Sequence, residues 1–249
     1  GETRWKSQGW ATLGLKEHFD IAIAYQQGFP TYLVASKIKA SKKIAWVNAD
    51  MVKANYNQKF NTRFYKAYNY ICPVSEELHK IMRREYQRFN SKFVCVYDIL
   101  NPDVIRKQST EPIQESDFNN KLSILTVGRL HPIKNQKLAI EASYLLKQKG
   151  IDFCWYFIGD GPERHILEQM ITEKGLEDYV KLLGMKTNPF PYVRKCDIYV
   201  QTSIHEGFGM TIGEAKILQK LIVSTNFDVV YDQIENKKNG IVVEMTHLP

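Results

Sequence analysis

The amino-acid sequence predicts an α/β protein with two doubly wound parallel sheets. Short apolar runs alternate with segments of helical period along nearly the whole chain. Those runs are continuous rather than alternating in polarity, the pattern of strands covered on both faces. A stretch rich in Pro, Ser and Gln interrupts the rhythm once, from Asn101 to Asn120.

Before the interruption the strand expectations are Ile21–Tyr25, Ile44–Val47, Tyr70–Val74 and Phe93–Tyr97. After it they are Leu122–Val127, Phe153–Ile158, Tyr179–Leu183, Asp197–Thr202, Leu221–Ser224 and Ile241–Glu244. Each is short, rich in Val, Ile or Tyr, and bounded by polar residues or Gly. Helices fill the intervals. Ser75 reads as an N-cap, with Glu76 and Glu77 in the first turn, where acids complement the helix dipole. Pro162 fits a first helical position and Gly175 a C-terminal stop. Right-handed crossovers between parallel strands then give Rossmann-like domains.

The interruption holds Pro102, Gln108, Ser109, Thr110, Pro112, Gln114, Glu115 and Ser116, which is linker composition. It divides the chain into a first domain over residues 1–106, a linker over 107–120 and a second domain over 121–249. With about four strands, the first part reads as an incomplete doubly wound domain. The chain also stops at Pro249, shortly after a strand and without a closing helix.

A length of 249 residues with 44% hydrophobic residues leaves room for more than one core. The net charge of +7 suits an anionic partner such as a nucleoside diphosphate, a membrane surface or a nucleic acid, and equally an ordinary basic surface. No long Lys/Arg run appears, which argues against nucleic acid. Cys72, Cys95, Cys154 and Cys196 form no C-x-x-C pair, so reduced thiols are expected rather than a zinc or redox site. No run reaches the roughly 20 apolar residues of a membrane span, and Gly1 to Lys6 lack the apolar core of a signal peptide. A cytoplasmic protein is expected, with peripheral contact at the inner face of the cell membrane left open.

Three segments carry chemistry. In Thr126 to Asn135 a strand ends at Val127, Gly128 clears space for a ligand, and Arg129 and Lys134 follow in one loop before a helix near Asn135. Ligands of open α/β sheets sit beyond the carboxyl ends of strands. Two cations there can clamp a diphosphate, although an Arg and a Lys in a loop can equally be solvated surface. In Ile158 to Pro162 a strand runs into Gly159-Asp160-Gly161, which reads as an anion site or as a plain turn. The strongest segment is Thr202 to Ala215. Gly207 and Gly209 flank Phe208, and a helix starts near Met210, where free backbone N–H groups suit phosphate oxygens. Glu206 precedes that helix and Glu214 lies in it. If the loop curls over the helix start, both carboxylates can face one crevice and accept hydrogen bonds from sugar hydroxyls. The competing reading is a capped helix with an exposed Glu.

Gly128-Arg129, Lys134, Gly159 to Pro162, and the two glutamates around Gly-Phe-Gly together resemble the retaining glycosyltransferases of family 4, bacterial surface-polysaccharide enzymes among them. The resemblance runs in order from about Leu122 to Val243. It implies the GT-B fold, two Rossmann-like domains facing a cleft, and a nucleoside-diphosphate sugar, UDP or GDP type, as donor substrate. By the same resemblance Arg129 and Lys134 bind the diphosphate and stabilise the leaving group, and Glu206 contacts the donor sugar. Glu214 holds the ribose, and Gly128, Gly159, Phe208, Gly209, Met210 and Thr211 approach sugar and phosphate. Met185 and Lys186 fall where the family touches the nucleobase. Many members carry a His after the strand matched by Ile44–Val47, and here Asn48 stands in its place.

The implied reaction moves a sugar to an acceptor hydroxyl of a glycan or lipid-linked acceptor with retained anomeric configuration. No Asp-x-Asp pair sits in a suitable loop, so no cofactor or divalent metal is required. The six histidines lack metal-ligand spacing, and neither a G-x-S-x-G elbow nor a P-loop is present. Tyr56, Phe64, Tyr65 and Tyr68 serve either the core or an acceptor, the core being preferred. A GT-B epimerase using the same donor substrate, and a non-catalytic nucleotide-binding module, remain as competing functions.

Overall fold

The computed structural model describes residues 2–113, 118 and 121–245. The Gln114 to Ser116 part of the expected linker, its two closing asparagines, His247 and Pro249 lie outside them. The chain forms two compact units, Gly1–Asp98 and Ile99–Pro249. Both are α/β with a wholly parallel sheet.

The first unit runs α1 (Glu2–Gln8), β1 (His18–Ala24), α2 (Phe29–Lys37), β2 (Lys39–Val47), α3 (Gln58–Tyr65), β3 (Tyr70–Pro73) and α4 (Glu76–Glu85). Its strands lie in the order β1-β2-β3, with Ile23 beside Ile44 and Ile44 beside Tyr70. Ser75 caps α4 as expected, its side chain accepting from Leu78 N at 3.2 Å. Ala22, Ala24, Ala45, Val47 and Ile71 pack on Val34, Met82, Phe89 and the rings of Tyr65 and Tyr68. Tyr65 and Tyr68 are thus core residues.

Two expectations for this unit are corrected. Alternate residues of β1 point away from that core, and Ile21, Ile23 and Tyr25 are exposed, so the strand is buried on one face only. Phe93–Tyr97 is not a strand. Phe93 bridges Ile71, and Val94 and Val96 donate their amides to Ile71 and Pro73, yet the ladder extends no further.

The second unit begins with α5 (Pro102–Gln108), which falls where the sequence reads as linker. Asn101 caps it by accepting from the amides of Asp103 and Val104, and Pro102 fills the first helical position, so the local signals of a helix start are present. It lies against α8 (Phe190–Lys195) and α9 (Met210–Ile217), and Asn188 donates to the carbonyl of Gln108. The division of the chain therefore falls between Asp98 and Ile99, ahead of the 106/107 boundary read from composition.

The second sheet holds β4 (Leu122–Val127), β5 (Phe153–Ile158), β6 (Val180–Leu182), β7 (Ile198–Gln201), β8 (Leu221–Thr225) and β9 (Ile241–Val243), in the order β6-β5-β4-β7-β8-β9. The chain builds outward from β4 through β5 to β6, then returns to β4's other side with β7. That reversal is the topological switch point of a doubly wound sheet, where the loops leaving two adjacent strands part and open a crevice.

Both faces of this sheet are covered, which explains the unbroken apolar run of β5. Phe153, Trp155 and Phe157 pack on Ala139 and Ile140 of α6 (Gln136–Gln148) and on Leu167 and Ile171 of α7 (Arg164–Glu173). Cys154, Tyr156 and Ile158 share the opposite core with Tyr192, Val193, Ile212 and Ala215. Pro162 lies in the turn before α7, which starts two residues later than its sequence signal suggests. Gly175 closes α7 as expected, its amide donating to Thr172 and the next amide to Ile171. No helix among the described residues is long and apolar enough to cross a membrane.

Candidate nucleotide-sugar site

The site occupies the switch point. The loop after β4 (residues 128–135) and the loop after β7 (residues 202–209) leave neighbouring strands in the same direction. Ile204 donates its amide to Ile133 O at 2.9 Å, and Thr202 Oγ1 donates to Lys134 O at 2.8 Å. These bonds bring together the two side chains that matter most. Lys134 Nζ lies 2.5 Å from Glu206 Oε1, with side-chain exposures of 22% and 13%. Pro132 to Lys134 form one 3-10 turn capped by His131, and Asn135 takes a left-handed conformation before α6. This turn aims the lysine at Glu206 of the neighbouring loop.

Glu206 Oε1 also accepts from Gln201 Nε2 and Ser203 Oγ, each at 2.6 Å. Three hydrogen-bond donors therefore converge on one carboxylate oxygen. Gln201 is buried at the end of β7, and its own Oε1 accepts from Tyr199 at 3.1 Å and from Thr211 at 3.2 Å. The loop is held from its other side by Gln233, whose Nε2 donates to the carbonyls of Phe208 and Gly209. Gly209 caps α9 at φ 85°, a left-handed conformation that side chains resist. The amides of Met210 and Thr211 sit at N1 and N2, where a helix offers them no internal acceptor.

The Glu214 carboxylate, on α9, is half-buried and takes no hydrogen bond among the described residues. Burial pushes its carboxyl up to about 7. Glu206 and Glu214 both act electrostatically on the phenol of Tyr199, which burial holds far above the usual tyrosine range.

The glycines divide by task. A Cβ on Gly159 would lie 2.0 Å from the carbonyl oxygen of Gly128, and Gly159 sits at φ 140°. Its amide donates to Gly184 O, and Gly128 N donates to Ile158 O, so the loops after β4, β5 and β6 are stitched edge to edge. Gly159 therefore has a structural reason to be glycine. At Gly128 a Cβ would meet only the aliphatic carbons of Lys134, at 3.8 Å or more. The fold leaves room for a side chain there.

Other expected residues are less engaged. Arg129 is exposed, and among the described residues its guanidinium takes no ion pair or hydrogen bond. Met185 is 79% exposed, and Lys186 lies over the ring of Tyr192 at 5.2 Å. No group of three or more His, Cys, Asp or Glu that could hold a metal gathers among the described residues. In the first unit, Asp50 accepts from the amides of Val52 and Lys53 and so closes a turn, whereas the side-chain oxygen of Asn48 is buried without a hydrogen bond. The sequence reading did not single out Gln201, Gln233 or the capping turn at His131. Gln201 has a weak signal, a polar residue closing an apolar strand.

This architecture is that of a doubly wound, Rossmann-like α/β domain with its candidate site at the switch point. The family described as Glycosyl transferases group 1 matches residues 108–247, and the chain belongs to it. The chain is similar to the poly(ribitol-phosphate) alpha-N-acetylglucosaminyltransferase of Staphylococcus aureus, at 27% identity over 78% of this chain and 40% of that one. It is also similar to the N-acetylgalactosamine-N,N'-diacetylbacillosaminyl-diphospho-undecaprenol 4-alpha-N-acetylgalactosaminyltransferase of Campylobacter jejuni, at 28% identity over 70% of this chain and 47% of that one. The chain spans less than half the length of these relatives. In fold it resembles HepE of Anabaena, solved in complex with UDP, with a TM-score of 0.71, 20% identity, and coverage of 82% of this chain and 58% of that one.

Proposed function

We propose that this chain carries the donor-substrate site of a retaining family 4 glycosyltransferase. The enzyme moves a sugar from a nucleoside-diphosphate sugar, UDP or GDP type, to the hydroxyl of a glycan or lipid-linked acceptor. The observation that carries this reading is the Lys134–Glu206 pair at the switch point, set beside the amides of Met210 and Thr211, which open α9 without an intrahelical acceptor. A cation and free amides suit a diphosphate, and the next carboxylate suits sugar hydroxyls. Family membership supports the reaction class, and the two curated relatives are named as transferring N-acetylhexosamines. The UDP held by HepE supports a uridine nucleotide.

In this proposal Arg129 and Lys134 bind the diphosphate and stabilise the charge that builds as it leaves. Lys134 has three N–H groups, so it can keep its bond to Glu206 and still donate to phosphate. Glu206 meets the sugar, Glu214 the ribose, and Met185 and Lys186 the base. The backbone at Gly128, Gly159, Phe208, Gly209, Met210 and Thr211 bounds the sugar and phosphate. The second domain holds the donor substrate and the first the acceptor side. Retention is assigned to same-face displacement, in which the departing phosphate takes the acceptor's proton. The setting is cell-surface polysaccharide or glycolipid synthesis at the cytoplasmic face of the membrane.

The test is a thermal-shift screen against UDP-glucose, UDP-N-acetylglucosamine and GDP-mannose, followed by product analysis with labelled donor substrate. A ligand bound only by the native state raises the melting point. Transfer to an added acceptor supports the proposal. Isomerised free sugar points instead to an epimerase, and binding without turnover to a non-catalytic module.

A further inference from the structure

Gln201 is 2% exposed, and its amide is bonded at both ends. Nε2 donates to Ser203 Oγ at 2.7 Å and to Glu206 Oε1 at 2.6 Å, and Ser203 Oγ donates a hydrogen bond to the same Glu206 oxygen. Oε1 of Gln201 accepts from Tyr199 and Thr211.

The charge on Glu206 fixes the polarity of this network. A carboxylate only accepts, so the amide must turn its NH2 toward Glu206 and its carbonyl toward the two hydroxyls. The reverse orientation would set oxygen against oxygen. With Lys134 added, Glu206 Oε1 is saturated by three hydrogen-bond donors, while Oε2 accepts no hydrogen bond among the described residues.

We propose that Gln201 is the positioning residue of this site, locking Glu206 through Oε1 so that Oε2 is presented to the hydroxyls of the donor sugar. This rests on the nucleotide-sugar reading above. The nucleotide itself does not depend on the lock, so the sugar's share of binding is what Gln201 governs.

Two variants test it. Gln201→Met removes both halves of the amide. Gln201→Glu keeps the length and an acceptor toward Thr211, but sets a second carboxylate against Glu206. At low pH a proton shared by the two acids restores a hydrogen-bond donor there. Binding of UDP, UDP-glucose and UDP-N-acetylglucosamine is measured by isothermal titration from pH 8 to pH 5.5, and hydrogen exchange follows the amides of residues 203–211 without ligand. In Gln201→Met, UDP binds within about twofold of wild type, the UDP-sugar about tenfold or more weaker, and the loop amides exchange faster. In Gln201→Glu the sugar's share is lost at pH 8 and returns on acidification, a recovery that wild type and Gln201→Met lack. Unchanged UDP-sugar binding in Gln201→Met, or no acid recovery in Gln201→Glu, overturns the proposal. If the wild type binds none of the three ligands, it is the nucleotide-sugar reading that fails. Loop exchange then still judges the lock, and unchanged rates in Gln201→Met overturn it.

Discussion

Lys134 and Glu206, 72 residues apart in sequence, meet at 2.5 Å across the loops that leave two adjacent strands. The pair is mostly screened from solvent, so it exceeds the worth of an exposed ion pair, yet it is not sealed in a core. A double-mutant cycle over Lys134→Ala and Glu206→Ala, read by urea unfolding, is predicted to give a coupling of about 1–3 kcal/mol. A coupling near zero would mean that the two side chains do not hold each other in solution.

Gly128 and Gly159 face one another, and only one of them is demanded by the fold. Gly159→Ala forces a Cβ into the Gly128 carbonyl at a positive φ, and is predicted to cost roughly 3 kcal/mol or more. Gly128→Ala meets only flexible carbons of Lys134. It is predicted to unfold within about 1 kcal/mol of wild type while weakening UDP binding, because the methyl enters the space assigned to the diphosphate. Equal losses of stability in the two variants would contradict this division.

Glu214 is predicted to make stability and binding respond to pH in opposite directions. Its folded pKa of about 7 lies above its ordinary value of 4.5. Between these values the unfolded chain has released a proton that the folded chain keeps, so this group's contribution to stability falls as pH rises through that window and is level above it. Glu214→Gln is predicted to remove that fall, seen by comparing urea unfolding at pH 5 and pH 8. Under the ribose assignment the ionised acid is the stronger acceptor, so UDP binding should tighten as pH rises through 7 in wild type and not in Glu214→Gln.

Much of this was legible in the sequence because it is local. The β5 run announces burial on both faces, Gly-Phe-Gly announces a helix start with exposed amides, and Ser75 announces a cap. What escaped depends on how a loop folds back or on competing signals. Gln201 looks unremarkable in sequence although its side-chain partners Tyr199, Ser203, Glu206 and Thr211 all lie within ten residues of it, because only the turn of the loop after β7 brings them onto one amide. Helix α5 was concealed by the same Pro and polar residues that also mark linkers, although Asn101-Pro102 is a valid start. Phe93–Tyr97 has strand composition, but composition does not say whether a ladder forms. The apolar alternates of β1 suggested burial that this unit gives to one face only.

The central claim is that the crevice at the switch point binds a nucleoside diphosphate through Arg129 and Lys134, with Glu206 at the sugar. Isothermal titration of UDP-glucose and UDP-N-acetylglucosamine into the wild type, the Arg129→Ala/Lys134→Ala double variant and Glu206→Ala tests it most directly, each protein checked for an intact fold by circular dichroism. The account predicts binding by the wild type and its loss in both folded variants. Variants that remain folded and bind as tightly as the wild type would contradict it.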